Sequence, residues 1–512
     1  MPNALAYIML FGWPLVVFVL FHALPLQKAL IWSIVAGYLL LPSSMGVNLP
    51  MVPTIDKTLV PSISAALMCW IMARRQTSMM ARGGTDQLLG EVNLGGRGRW
   101  VIGSLLLLLL VAPFVTVLQN ADPVIAGPRF IPGLRLYDAV SLVAGLGIAF
   151  IPFLLARRFL ATAEAHRRLL VVLVVAALAY SLLILFEIRM SPQLHRWTYG
   201  FFPSAFAQHI RAGGFRPAVF LDHGLSVGAF LAMAVLAACA LWRQNLREQV
   251  SAMPWLSAGG WLLVTLLLSR NLGATALAML FAPVILFSTL RVQLLLAAVI
   301  AGAVLVFPML RGAGWVPTDA IHSMAEAINP ERAQSLQFRF DHEDALLTRA
   351  NEKPFAGWGS WGRNRIFDPV TGDDLSVTDG YWVIVIGTYG WLGYVAQFGL
   401  MTLPILMLAL RRRQDLQPVT TGLVIIAAIG LIDLIPNAGR TPILLMVCGA
   451  LAGYCLSPQR RLQSDQYSDF ETPKSIICSV EGRPVQTGMV APSHRHVRRP
   501  RGFSPSHAAR RE

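Results

Sequence analysis

Eight arginines, Arg189, Arg196, Arg211, Arg216, Arg270, Arg332, Arg339 and Arg440, stand beside the ends of long apolar runs. A guanidinium offers five N–H donors in a rigid planar fork that matches phosphate oxygens two at a time. As a group at a membrane surface, they point to an anionic, lipid-linked ligand with a phosphate or pyrophosphate headgroup. Arginine is also the habitual cation of this chain, whose lysines are Lys28, Lys57, Lys353 and Lys474 alone. A structural role therefore stays open for any single one of them. Ser269-Arg270-Asn271 stands apart, because it interrupts an apolar helix pair at its turn. It reads either as a snorkelling arginine on a helical hairpin or as a phosphate ligand at the mouth of a bundle.

Other reactive residues give weaker signals. Phe340-Asp341-His342-Glu343-Asp344 is rich in acids, but on a helix these sit at pairing distance from Arg339 and Arg349, and surface ion pairs are expected there. Asp373-Asp374 reads as a solvated turn, His223 and Asp222 as a helix start, and His209 as an anchor at headgroup level. The sequence contains no P-loop, no Asp-x-Asp glycosyltransferase motif and no cluster of metal-ligand spacing, so neither a metal nor a cofactor is expected. Cys69, Cys239, Cys448, Cys455 and Cys478 are unpaired in spacing and read as small apolar filler.

The elements that must position these residues are membrane helices. Hydrophobic residues make up 55% of the chain and charged residues 13%, about half the charged share of soluble domains. Such a chain needs lipid as its solvent, and hydrocarbon forces the spanning backbone into helices. Apolar runs predict thirteen segments, at 5–24, 28–45, 59–73, 100–118, 134–155, 169–188, 218–241, 254–269, 272–290, 292–310, 389–410, 419–435 and 441–456. The expected fold is thus an all-α polytopic bundle of about 11–14 membrane helices. The first segment has no basic residue before its apolar stretch, so it is expected to be a retained helix.

Arginine clusters at Arg74, Arg75, Arg82, Arg97 and Arg99, at Arg157, Arg158, Arg167 and Arg168, and at Arg411, Arg412 and Arg413 assign their loops to the cytoplasm. Alternation then puts the N-terminus and the long 311–388 loop outside and the C-terminal tail inside. The long loop carries aromatic anchors, an amphipathic stretch near Pro330–Asn351 and a glycine-rich turn at 357–362, so a folded cap is expected. The net charge of +15 is concentrated partly in the tail after Ser457, which holds ten of the 42 basic residues. That tail reads as disordered and drawn to anionic lipid, and without aromatic platforms no nucleic-acid partner is expected.

From Arg211 to about Leu410 the chain resembles the O-antigen ligase and polymerase superfamily. Four features carry the resemblance: Arg211 to Phe215 with Phe220 to Gly224, similar to an Arg-x-x-Gly motif; Ser269-Arg270; Arg332 with Leu336, then Arg339 and Pro354 to Gly359; and Asp379-Gly380 followed by Gly390-Trp391-Leu392-Gly393. Asp379 stands where the ligases carry histidine, which weakens a strict ligase reading and leaves a polymerase as an equal expectation.

The resemblance implies a multi-pass protein of the bacterial inner membrane that polymerises or ligates undecaprenyl-pyrophosphate-linked glycans without a metal, alongside other polysaccharide assembly proteins. It implies that Arg211, Arg270, Arg332 and Arg339 bind the pyrophosphate, and that Arg332 and Asp379 serve catalysis, Asp379 as base. It divides the chain into N-terminal helices (1–200), a core (201–410), two C-terminal helices (411–456) and the tail (457–512). A lipid-glycan flippase or other transporter would bury arginines too, but the repeated halves common in transporters are not visible.

Overall fold

The computed structural model describes residues 1–48, 53–80, 97–211, 213–328, 330–410 and 416–457. The basic tail, Arg82 and the Arg411 to Arg413 cluster lie outside this set. The described chain is an all-α polytopic membrane protein with helices α1 (Ala4–Ala23), α2 (Leu26–Leu40), α3 (Leu59–Met80), α4 (Arg97–Leu118), α5 (Leu136–Phe159), α6 (Ala163–Met190), α7 (Leu194–Tyr199), α8 (Gly224–Arg247), α9 (Met253–Leu268), α10 (Leu272–Phe287), α11 (Leu290–Gly312), α12 (Thr318–Ile328), α13 (Pro330–Asn351), α14 (Tyr381–Leu410), α15 (Pro418–Asp433) and α16 (Pro442–Leu456). Among the described residues, seven of these helices are long and apolar enough to cross a membrane, and α2, α9, α10, α15 and α16 are shorter apolar helices. Each of the thirteen predicted segments falls on one of these helices or on α3; the other three, α7, α12 and α13, belong to connections.

Local chemistry starts the helices where the sequence supplies a cap. The side chains of Asn3, Thr162, Thr289 and Thr441 accept a backbone N–H from the first turns of α1, α6, α11 and α16. Beyond the caps, burial sorts the helices. Helix α8 is almost wholly buried and packs on α6, α9, α10 and α15, whereas α1 and α4 keep broad apolar faces toward lipid. Helix α16 lies so close to α5 that a Cβ on Gly449 or Gly453 would come within 2.2 or 2.3 Å of the Phe153 or Arg157 carbonyl oxygen.

Successive spans run in opposite directions, so the connections fall on two faces. One face carries the arginines of the short turns, where Arg168 donates to Gln27 (2.9 Å), Arg167 pairs with Glu248 (3.2 Å) and Arg247 donates to the Leu416 carbonyl (3.1 Å). The other, the loop face, holds three two-stranded hairpins, β1 and β2 (Gly46–Val47, Ile55–Asp56), β3 and β4 (Val124–Ala126, Arg129–Ile131), and β5 and β6 (Ile210–Arg211, Gly214–Phe215), together with α7, α12 and α13.

Helix α14 is not one rod. Tyr381 and Gln397 are sixteen residues apart, roughly 24 Å along a straight helix, yet the Tyr381 hydroxyl donates to Gln397 Oε1 at 2.5 Å. The chain folds back at Gly390, where φ is 62° and ψ −162°, a region open to glycine and closed to other residues. The backbone groups freed by the break are taken up by the glycine-rich turn. Trp358 N donates to Gly387 O (2.8 Å), Gly359 N to Thr388 O (2.9 Å), Trp391 N to Pro354 O (2.8 Å) and Leu392 N to Phe355 O (3.2 Å). The end of α4 and the residues after it hold the turn from its other side, as Thr116 donates to Ala356 O (2.6 Å) and Asn120 to Gly357 O (2.8 Å). The segment that crosses the bundle is therefore 391–410, while 381–389 is a separate arm folded against it.

A Cβ on Gly390 would also lie 2.5 Å from the Ala356 nitrogen. Gly390→Ala should lose at least ~1–3 kcal/mol from backbone conformation alone, read as a lower unfolding temperature of the detergent-solubilised protein. Gly103→Ala, whose Cβ meets nothing within 4 Å, should be neutral.

Candidate functional site

Helices α9, α10 and α15 have 16 residues and α16 has 15, about 24 Å or less against a hydrocarbon core of roughly 30 Å. Their two hairpin turns, 269–271 and 434–441, are consequently recessed. Asn271 packs against Gly228, a full turn inside α8, and the Leu434 and Asn437 carbonyls receive the Tyr381 N–H beside Gln397. Each recessed turn carries an arginine, Arg270 or Arg440.

Arg270 sits in the turn with φ 58°, an uncommon conformation for a residue with a side chain. Its guanidinium occupies the space over Gly214, where a Cβ would fall 2.5 Å from Cζ. Gly214 is the register partner of Arg211 in the β5 and β6 hairpin. The structure thus joins the Arg-x-x-Gly motif and the Ser-Arg motif through backbone packing. The side chains of Arg211 and Arg332 lie outside the described set, although the backbone puts Arg332 in the first turn of α13.

Arg339, two turns further along α13, reaches the second recessed turn. Its Nε pairs with Asp379 Oδ2 at 3.2 Å and its Nη1 donates to the Pro436 carbonyl at 3.3 Å. Both partners are about one-third exposed, so the pair contributes little stability and mainly orients the carboxylate. The first N–H of α14, that of Tyr381, goes to the Leu434 and Asn437 carbonyls. Two residues on, Arg440 donates to the Tyr381 hydroxyl (2.5 Å) and to Gln397 Oε1 (2.8 Å), and it lies over the rings of Phe150 and Tyr381. All these partners are neutral, so among the described residues the half-buried Arg440 has no carboxylate partner.

Several other arginines of the loop face are paired or structural. Arg349 pairs with Glu352 and Arg365 with Asp374. Arg363, fully buried, donates to the carbonyls of Trp358, Pro132 and Asp122 and so ties the long loop to the 119–135 connection. Asp374 also accepts from Ser376, which makes the Asp373-Asp374 turn a structural one.

Two expectations need correction, while the helix-start reading of His223 and Asp222 holds. The acids of the Phe340 to Asp344 run do not pair with Arg339 and Arg349; Asp344 pairs with the buried Arg311 of α11 at 2.8 Å, and Glu343 is buried beneath α13. Packing against α11 and α14 turns that helix face inward, which a surface-pairing rule does not foresee. His209 is no headgroup anchor, being fully buried with hydrogen bonds to Ser204 and the Arg216 carbonyl. His223 is itself the cap of α8, where its Nδ1 accepts the Leu225 N–H at 3.1 Å, while Asp222 accepts from Ser226 at 2.8 Å.

Sequence reasoning passed over the support for this region. Glu187, almost fully buried, accepts N–H groups from Leu194, Ala218 and Val219 at 2.9, 2.9 and 2.7 Å. It thereby fixes Val219 at φ 53°, which a β-branched residue avoids, just before the α8 cap. Ser43 donates to the Phe220 carbonyl at 2.6 Å and receives Lys57 Nζ at 2.5 Å. Burial lowers Lys57 to about 8, with Asp222 opposing. The only visible hint was a lone glutamate ending an apolar run. Separately, an apolar cleft of about 270 Å³ lies between α1 and α3, lined by residues such as Phe18, Leu67 and Arg75, toward the arginine-rich face. It is remote from the two recessed turns.

No family model matches this chain, and no curated protein or solved structure matches it either. Among the described residues no group of His, Cys, Asp or Glu could hold a metal ion.

Burial pushes the Glu343 carboxyl from its ordinary 4.5 up to about 7, against the opposing pull of Arg311. The folded state therefore holds this proton more tightly than the unfolded chain, and stability falls as pH rises through that window, by a few kcal/mol at most. Glu343→Gln should flatten the dependence of unfolding temperature on pH between about 5 and 7. An unchanged slope in that variant would remove Glu343 from the account.

Proposed function

We propose that this protein is a membrane transferase that polymerises or ligates undecaprenyl-pyrophosphate-linked oligosaccharides, with the loop face on the periplasmic side of the bacterial inner membrane. The observation that carries this reading is Arg440. It is a cation with neutral partners, on a recessed helical turn beside the Arg339 and Asp379 pair. A fixed guanidinium in a partly dry setting attracts phosphate oxygens at the depth where lipid headgroups lie. Supporting it, the sequence motifs that resemble the ligase and polymerase superfamily meet in space, the Pro354 to Gly359 turn with Gly390 to Gly393, and the Arg211 hairpin with Arg270. The arginines on the opposite face support a cytoplasmic assignment for that side, with the N-terminus outside and the tail inside.

The chemistry is a displacement at the anomeric carbon. The acceptor hydroxyl oxygen forms the new glycosidic bond, the bond from that carbon to the phosphate oxygen breaks, and the lipid pyrophosphate leaves with both electrons. Arg270, Arg332, Arg339 and Arg440 stabilise the leaving phosphates, and Asp379 takes the hydroxyl proton. Arg339 engages Oδ2 of Asp379, so Oδ1 is the oxygen free for that task.

Deletion of the gene should leave single-repeat glycans for a polymerase, or intact lipid-linked polymer without attachment for a ligase. Unchanged surface glycans, or lipid-linked repeats trapped on the cytoplasmic leaflet as for a flippase, would overturn the transferase reading. Asp379→Asn should lower glycan assembly about 100-fold or more at normal protein level. Lysine cannot reproduce a two-pronged contact, so Arg332→Lys and Arg440→Lys should be nearly as damaging as the alanine variants. Full assembly by either lysine variant removes that arginine from the bidentate role.

A further inference from the structure

Helix α12 is one part of the cap that the bundle leaves uncovered. Its apolar residues Ile321, Met324 and Ala325 follow helical spacing along one side, while Asp319, His322, Ser323 and Glu326 occupy the other. Its main neighbour is α13, and that contact leaves Met324 68% and Ile321 40% exposed. Trp315, in the short link from α11, is 77% exposed, and Met309 in the last turn of α11 is 60% exposed. Helix α11 is one of the long apolar spans, so its loop-face end emerges from the hydrocarbon just where this run of exposed apolar residues begins.

We propose that α12 lies in the membrane interface of the loop-face leaflet, with Trp315, Ile321 and Met324 inserted among the acyl chains and Asp319 and Glu326 facing water. The occupant of this face is lipid because the exposed apolar residues Met309, Trp315, Ile321 and Met324 follow directly on the loop-face end of a long apolar span. An amphipathic helix with acids on its polar side inserts by apolar burial, without attraction to anionic headgroups. A tryptophan at its start fits the headgroup boundary. A seated α12 also holds the first turn of α13, which carries Arg332, at the depth of the lipid phosphates.

The test uses the full-length protein in phosphatidylcholine vesicles. The four described cysteines are buried, so a Cys478→Ser background leaves few reactive thiols. Single Met324→Cys and Glu326→Cys variants carry a bimane label. A doxyl-labelled lipid should quench the label at position 324 about twofold or more over that at 326, and aqueous iodide should reverse the order. Equal iodide access at both positions overturns the proposal. Protection at 324 from lipid quencher and iodide alike also overturns it, because protein would then cover the face. Neither outcome depends on the transferase reading, which the glycan assays address separately.

Discussion

Hydrocarbon offers no partner for a backbone N–H or C=O, and the arrangement of the loop face follows from how this chain meets that constraint at Gly390. A helix broken inside a bundle exposes several such groups at once. Here the Pro354 to Gly359 turn donates two N–H groups and accepts two, while Thr116 of α4 and Asn120 just beyond its end fix the turn. Because the break is satisfied, the 381–389 arm can fold back against the spanning half of α14. That fold brings Tyr381 to Gln397, and it sets Asp379 beside the α15 and α16 turn.

The lengths of the other helices complete the geometry. Four apolar helices of 15 or 16 residues form two hairpins that stop short of the membrane face. The turns thereby become recessed floors, and the arginines on them lie deeper than residues on the long connections. Depth changes what a charge does. Arg365, on the exposed loop, pairs with Asp374 and adds little beyond shape. Arg440 keeps its charge with a phenol, an amide and two aromatic rings as company, and is suited to an anionic ligand that arrives laterally from the membrane.

The N-terminal helices take part through buried polar contacts. Glu187 and Tyr180 of α6 and Ser43 after α2 all bind the 218–220 backbone, and Lys57 binds Ser43. They hold Val219 in a costly conformation and so set the direction from which Asp222 and His223 begin α8. A carboxylate that accepts three N–H groups is an economical way to hold such a segment, since each bond to a charged acceptor is stronger than a neutral one.

The sequence by itself determined the all-helical membrane fold, the placement of the spans and the grouping of arginines near helix ends. These follow from hydropathy and charge, which act through solvent and need no knowledge of neighbours. Even the start of the spanning part of α14 was legible, because the apolar run began at 389 and not at the helix start at Tyr381. Which acid meets which arginine was decided by tertiary structure alone. Asp344 with Arg311, Asp379 with Arg339, and the neutral company of Arg440 join residues from different helices. Spacing rules see neighbours along one helix, as with Arg349 and Glu352, and are blind to partners that packing brings from elsewhere. Recess depth and the fold-back at Gly390 were hidden for the same reason: both depend on where helices end relative to one another in space, a relation that no local pattern of residues encodes.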